Sequence, residues 1–286
     1  MSAAFDLPTT NSSMLDIDLF TSFTKGEDTS SSPEEEISPA QLSTLHNHYF
    51  NSIYLSFPFL NRDRFLADST GGSGPAVSAL VYAVALAGCT HSPKDANRQS
   101  TCYSLACNHA EKCEREGGLN DINFVQALLL IGRFEAMDRK LERSWLTLGR
   151  AALLCRLLRI HRMEEGDDSE PSQDDGGPSG PLSRLPPTDD PVVLEERRRT
   201  FWELYILQSY VKTRAGWQCQ LGDVKMSSQG LLRSDLVPVN IPFLSEIRPD
   251  QWQEISSYAG CVLMVELALH CFDHGQQRAT TRFWDV

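Results

Sequence analysis

Thirteen residues constrain this chain most. Glu195 to Leu207 read Glu-Glu-Arg-Arg-Arg-Thr-Phe-Trp-Glu-Leu-Tyr-Ile-Leu. A compact charge cluster runs straight into apolar and aromatic residues, the pattern of a helix anchored at its start by ion pairs and then driven into a core. Asp190-Pro191 upstream offers a cap and a first-position proline. Glu195 and Glu196 fall in the first turns, which suits the helix dipole. Arg199 stands four residues beyond Glu195, the better orientation for an exposed ion pair of about 0.2–0.5 kcal/mol. No catalytic group sits in this stretch.

The rest of the chain supplies partners for such a helix. Ser38-Pro39 opens a helix on which Leu42, Leu45, Tyr49 and Ile53 share a face, and Phe57-Pro58 closes it. After the flexible break Gly71 to Pro75, Ala79 to Ala87 is apolar all round and predicts a buried helix. Another helix is expected from Ala96 to Glu116, stopped by Gly117-Gly118. Asn123 to Arg162 reads as two helices with a polar joint near Asp138–Glu142. Gly132 and Gly149 inside them each cost about 1 kcal/mol relative to Ala, and close helix–helix approach is the expected reason. A last helix is expected from Asp250 to His274, ending at Gly275. Strand signals are sparse. The expected fold class is all-α, a helical bundle or superhelix.

Charge divides the chain further. The net charge of −12 belongs to two polar segments: residues 1–40 carry −7 and residues 164–190 carry −8, leaving +3 on the remaining 219 residues. Both segments are expected to be disordered, as an acidic N-terminal tail and an acidic insertion. The expected division is 1–40 tail, 41–163 first part of a helical domain, 164–190 insertion and 191–286 second part. Within the tail, Met14 to Phe23 interleaves Asp16 and Asp18 with Leu15, Ile17, Leu19, Phe20 and Phe23. That alternation suits an activation-type segment as well as a tail that folds back on the domain. A near-neutral body argues against a broad basic nucleic-acid surface. No apolar run approaches the ~20 residues a bilayer span needs.

Chemistry-bearing motifs are few. The chain has no Gly-x-Ser-x-Gly, phosphate-binding loop, Gly-x-Gly-x-x-Gly or His-Glu-x-x-His. An all-helical domain invites comparison with terpene synthases, but the acidic pairs Asp167-Asp168 and Asp189-Asp190 fall in the insertion. The eight cysteines include no Cys-x-x-Cys, and a reducing compartment fits them. Cys102, His109 and Cys113 share a helix face, and His270, Cys271, Asp273 and His274 cluster at a helix end, yet neither group makes a complete four-ligand spacing. Ordinary packing is the expectation for both. The triplet Arg197-Arg198-Arg199 is expected to pair with Glu195, Glu196 and Glu203 while its stems cover apolar surface, rather than to contact phosphates. No catalytic, cofactor-binding, metal or DNA-binding residue is assigned, and no enzyme activity is expected.

Four segments in order carry a resemblance. They are Tyr49-Phe50-x-x-Ile53-x-x-x-Phe57-Pro58-Phe59-Leu60-x(4)-Phe65; Val125-Gln126-Ala127-Leu128-Leu129-Leu130; Trp145-x(3)-Gly149-x-Ala151 with Leu158-Arg159-Ile160-His161-Arg162; and Glu195-x-Arg197-Arg198-Arg199-x-Phe201-Trp202. Together, across about residues 40–270, they resemble the fungal-specific transcription factor domain, the helical middle homology region of fungal zinc-cluster regulators. Arg159 stands where that family usually has glycine, Gln208-Ser209 where it commonly has Asp-Arg, and Val237 to Pro242 replaces a tidier Leu-Pro ending. The cysteine spacing of the zinc binuclear cluster is absent from the sequence, and the chain ends sooner than such regulators usually do. The resemblance implies a nuclear transcription regulator that acts through a helical regulatory domain and controls a fungal secondary-metabolite gene cluster. DNA would be reached through a partner or a missing N-terminal zinc cluster. The implied partners are a DNA-binding regulator, a coactivator and a small-molecule effector, with no membrane and no cofactor. The alternative is a small-molecule-binding or interaction protein derived from that domain and no longer acting in transcription.

Overall fold

The computed structural model describes residues 37–71, 74–89, 96–160, 185–218, 220–221, 231–232, 238–239 and 257–283. All belong to one unit, Ile37–Val286. The Met14–Phe23 segment and the 164–184 part of the insertion lie outside the described residues.

Helix α1 (Pro39–Asn51) starts on a capping box: the Gln41 amide donates to Ser38 Oγ at 3.3 Å and the Ser38 amide to Gln41 Oε1 at 2.9 Å. It is followed by a 3₁₀ turn, Ile53–Leu55, that delivers Phe57, Phe59 and Leu60 to the core. Helix α2 (Arg62–Gly71) was not anticipated. Its single buried apolar side chain, Phe65, makes no periodic pattern. Helices α3 (Pro75–Cys89) and α4 (Ala96–Glu116) follow, the first buried on most of its surface as expected. Cys102, Ala106, Ala110 and Cys113 form the inward stripe of α4. Gly117, at φ 91°, ends α4 and donates its amide to the Cys113 carbonyl at 3.1 Å.

Helix α5 (Ile122–Met137) is capped by Asp121, which accepts from the Asn123 amide at 2.9 Å. It packs against α3, α4, α6 (Leu141–Leu157) and α7 (Pro191–Ala215), so Phe124 through Ile131 are all buried. The polar joint between α5 and α6 is a tight reversal. Arg139 sits in the left-handed region at φ 61° and the Lys140 amide returns to the Glu135 carbonyl at 2.9 Å.

Close approach accounts for Gly132, where a Cβ would press on the Leu148 side chain of α6. Gly149 differs from expectation. The group filling the space above it is the side chain of Gln220, from the segment after α7, not a helix.

Helix α7 takes Asp190 as its cap, with the Val192 amide on Asp190 Oδ1 at 2.9 Å, and ends at Gly216 (φ 75°). Phe201, Leu204, Leu207 and Val211 form its buried stripe, each worth about 1.5–3 kcal/mol of burial. Two short strands, β1 (Leu231–Leu232) and β2 (Pro238–Val239), pair antiparallel with Leu231 opposite Val239. Helix α8 (Ser257–Phe283) packs on α7. It runs through Gly275 instead of stopping there, because a glycine in helical conformation costs only about 1 kcal/mol against Ala. The residues expected to begin it, 250–256, lie outside the described residues. Among the described residues no helix is long and apolar enough to cross a membrane.

Candidate functional site

The polar face of α7 meets α2 and α5 in a buried hydrogen-bonded junction. Glu196, only 4% exposed, takes a two-pronged contact from Arg64 of α2, with Nε on Oε2 at 2.5 Å and a terminal nitrogen on Oε1 at 2.7 Å. The Asn61 amide adds a third donor at 3.0 Å and Gln126 Nε2 a fourth at 3.1 Å. The rest of the Arg64 guanidinium donates to Asp68 at 2.6 Å, Asn123 at 2.8 Å and Gln126 Oε1 at 2.8 Å. Gln126 also donates to Thr200 Oγ1 at 3.1 Å. Burial works against the Arg64 charge, but the hydrogen bonds and charge of Glu196 outweigh it and hold its pKa above the ordinary arginine value. Nearly every donor has an acceptor here, as a buried network requires.

A second polar cluster lies one and two turns further along α7. Arg199 donates to Glu195 Oε1 at 2.7 Å and to the Pro58 carbonyl at 3.0 Å, and its guanidinium lies over the Tyr258 ring of α8, 5.3 Å from the centroid. Glu203, 1% exposed, is different in kind. Among the described residues neither of its carboxylate oxygens accepts a hydrogen bond, and the buried Tyr258 hydroxyl makes none. The two groups face each other short of hydrogen-bond geometry. Burial pushes the Glu203 carboxyl up to about 8, with Tyr258, Arg133 and Arg199 pulling the other way. Burial and the Glu203 charge raise Tyr49 of α1 well above its ordinary value.

A third buried carboxylate, Glu135, is fully served. The Tyr103 hydroxyl and Thr147 hydroxyl each donate to it at 2.7 Å, and Arg143 stands 3.3 Å away.

The arginine triplet is thus engaged with Glu195 as expected, but the ion pair of Glu196 lies elsewhere. Arg199 holds Glu195, and Arg198 lies 3.9 Å from the same carboxylate. Arg197 donates to the Pro186 carbonyl at 2.8 Å. Glu196 is taken by Arg64 instead, and the Glu195–Arg199 pair is largely buried instead of exposed. Nothing in the sequence marked Arg64, because it occupies one of the four unassigned positions before Phe65.

Of the residues weighed as metal ligands, Cys102 and Cys113 point into separate apolar clusters. His109 stacks on Tyr82 with ring centroids 5.5 Å apart. Burial, then Asp121, pushes the Cys113 thiol up to about 11, far from the thiolate a metal takes. At the other position, Asp273 pairs with Lys212 of α7 at 2.8 Å while His270, Cys271 and His274 are exposed. Among the described residues no three His, Cys, Asp or Glu side chains are arranged to hold a metal ion. Asp190 serves as the α7 cap, and Asp167 and Asp168 lie outside the described residues.

The chain is 58% identical over 319 aligned residues to the depudecin biosynthesis cluster-specific transcription activator DEP6 of Alternaria brassicicola, covering 100% of this chain and 49% of that protein. It is 55% identical over 317 residues to the activator of the same description from Fusarium langsethiae, covering 99% of this chain and 50% of that one. More distantly, it is 25% identical over 242 residues to the asperfuranone cluster transcription factor of Emericella nidulans, covering 80% of this chain and 36% of that protein. The chain spans about half the length of the first two relatives. No solved structure matches it. Residues 46–232 match the family profile described as the fungal specific transcription factor domain, a range that contains all four segments of the resemblance and the whole Arg64–Glu196 junction. The chain belongs to the fungal specific transcription factor domain family.

Proposed function

We propose that this chain is the helical regulatory part of a nuclear transcription regulator that switches on a fungal secondary-metabolite biosynthetic gene cluster, depudecin biosynthesis being the leading assignment. The observation that carries this reading is the similarity to the two depudecin activators, which extends over 100% and 99% of the chain and not over one motif alone. Membership of the transcription factor domain family supports it. The reading is of a regulator and not of an enzyme, in keeping with buried polar groups that serve packing.

Residues 41–163 and 191–286 act as two parts of one regulatory domain, a division supported by the packing of α7 on α5 and α6. Residues 1–40 contribute the acidic Met14–Phe23 segment to a coactivator, and residues 164–190 form an insertion between the two parts. DNA is reached through a DNA-binding partner or through a zinc cluster not contained in these 286 residues, and a small-molecule effector tunes the helical domain.

Deleting the gene and measuring transcripts of neighbouring biosynthetic genes tests the proposal. Loss of coordinated expression, restored on reintroduction, is the expected result. Unchanged transcripts across the cluster would refute it.

A further inference from the structure

Helix α8 is held on α7 by a small apolar patch with an unusual polar contact beneath it. Ala259 and Val262 rest on Trp202 and Ile206, and Lys212 ties the far end to Asp273 at 2.8 Å. At the first turn of α8 the Tyr258 hydroxyl is buried against the Glu203 carboxyl of α7. None of their three oxygens finds a hydrogen-bond partner among the described residues. Each of the other two buried carboxylates of this face has one, Glu196 from Arg64 and Glu195 from Arg199. A buried carboxylate whose oxygens accept no hydrogen bond is disfavoured in its charged form, and here burial outweighs the pull of Tyr258 and the two arginines. A carboxyl group that keeps its proton becomes a donor and can meet the phenol oxygen directly.

The groups facing this pair come from four helices. They are Tyr49 of α1, Arg133 of α5, Glu195 and Arg199 of α7, and Tyr258 itself on α8. The two arginines draw the carboxyl toward ionisation, yet burial prevails, and it lowers the Arg133 pKa as well.

We propose that Glu203 and Tyr258 form a proton-linked latch: α8 docks on α7 with a proton held between the carboxyl and the phenol. When α8 lifts away, the carboxyl O–H bond ionises and the proton passes to solvent. The inference stands on the α7–α8 interface and does not rest on the transcriptional reading.

The sign follows from proton counting. In the lifted state Glu203 is solvated and titrates in the ordinary glutamate range, about 4.3. In the docked state it titrates at about 8. The docked state therefore binds more protons between those values. Docking is strongest below the lower value, weakens as pH rises through the interval by up to about tenfold per pH unit, and levels off above the upper value.

Hydrogen exchange of the α8 peptides in the full chain reads the docking equilibrium, with labelling times scaled to the intrinsic exchange rate at each pH. Protection of α8 is expected to fall by up to about tenfold per unit between about pH 6 and 8. In Glu203→Gln, which keeps the shape and has no proton to lose in this range, the slope should vanish while α8 stays protected. A Glu203→Gln profile with the same slope as the unmodified chain would overturn the latch. A second measurement needs no variant. A ¹³C titration of the glutamate carboxyls in the unmodified chain should show one titrating near pH 8, and finding all of them in the ordinary range would overturn the proposal equally.

Discussion

Replacing Arg64 with Met removes five side-chain hydrogen bonds at once while retaining most of the apolar stem. The stem's packing is conserved, so the energetic change is concentrated on Glu196. That carboxylate is 4% exposed and would keep only the Asn61 amide at 3.0 Å and Gln126 Nε2 at 3.1 Å as donors. Removing one partner of a buried pair costs about 3–5 kcal/mol, because the other charge is left uncompensated. The Arg64 side chain is itself 21% exposed, so water entering the vacated space offsets part of the loss and about 3 kcal/mol is expected. That is a large share of the roughly 5–15 kcal/mol that holds a domain folded. Urea denaturation followed by helical circular dichroism measures it as a lower midpoint at unchanged slope. Neutralising the orphaned acid is the critical control. The double variant Arg64→Met with Glu196→Gln should recover about 1–2 kcal/mol relative to Arg64→Met alone, since groups in one network couple by about 0.5–3 kcal/mol. A loss under about 1 kcal/mol in the single variant, or strict additivity in the double, would refute the view that Arg64 and Glu196 depend on each other as a buried pair.

Two further outcomes concern the backbone. Arg159 occupies the left-handed region at φ 54°, where a side chain costs about 1–2 kcal/mol, so Arg159→Gly should stabilise the chain by about 0.5–1 kcal/mol once the greater freedom of the unfolded glycine is counted. An unchanged or lower melting temperature would show that the arginine side chain offsets this strain. The helical glycines should separate by what stands above them. Gly88→Ala drives a Cβ into the Leu45 backbone carbonyl and should cost about 2–3 kcal/mol, whereas Gly149→Ala displaces only the end of the Gln220 side chain and should fall within about 1 kcal/mol of neutral. Equal melting temperatures for the two variants would contradict the packing described.

Much of the helical framework was legible because its signals are local. Ser38-Pro39 and Asp190-Pro191 announce helix starts through capping chemistry, and Gly117 announces an end through its left-handed backbone. Helix α2 is hidden for the opposite reason: one buried side chain, Phe65, leaves no period to detect, and the helix is secured by Arg64 reaching Glu196, 132 positions away. Gly275 carried a stop signal that the structure ignores, since a glycine permits a helix end without requiring one. At Gly149 the close approach is legible in the sequence but its neighbour is not, because Gln220 comes from an irregular segment whose path no periodicity describes.

The polar sites were legible only in fragments, and the way the fragments join explains the family resemblance physically. Gln126 lies in the apolar Val125-to-Leu130 segment, Glu196 in the charged segment before Phe201, and Arg64 in the unassigned positions before Phe65. Three of the segments that carry the resemblance therefore meet at one junction. A lone glutamine inside an otherwise apolar run was the available clue, since a side chain 0% exposed there must find polar partners. Such a junction fixes how α2, α5 and α7 sit against one another, and every donor and acceptor it satisfies constrains the sequence without contacting a ligand. Glu203 follows the opposite logic. It sits in the same helix, equally buried, but its oxygens accept no hydrogen bond among the described residues, so in the proposed latch it ties α8 to the bundle most strongly while it keeps a proton. The helix that identifies the family thus carries both kinds of buried acid: one locked by an arginine, and one whose packing depends on its protonation.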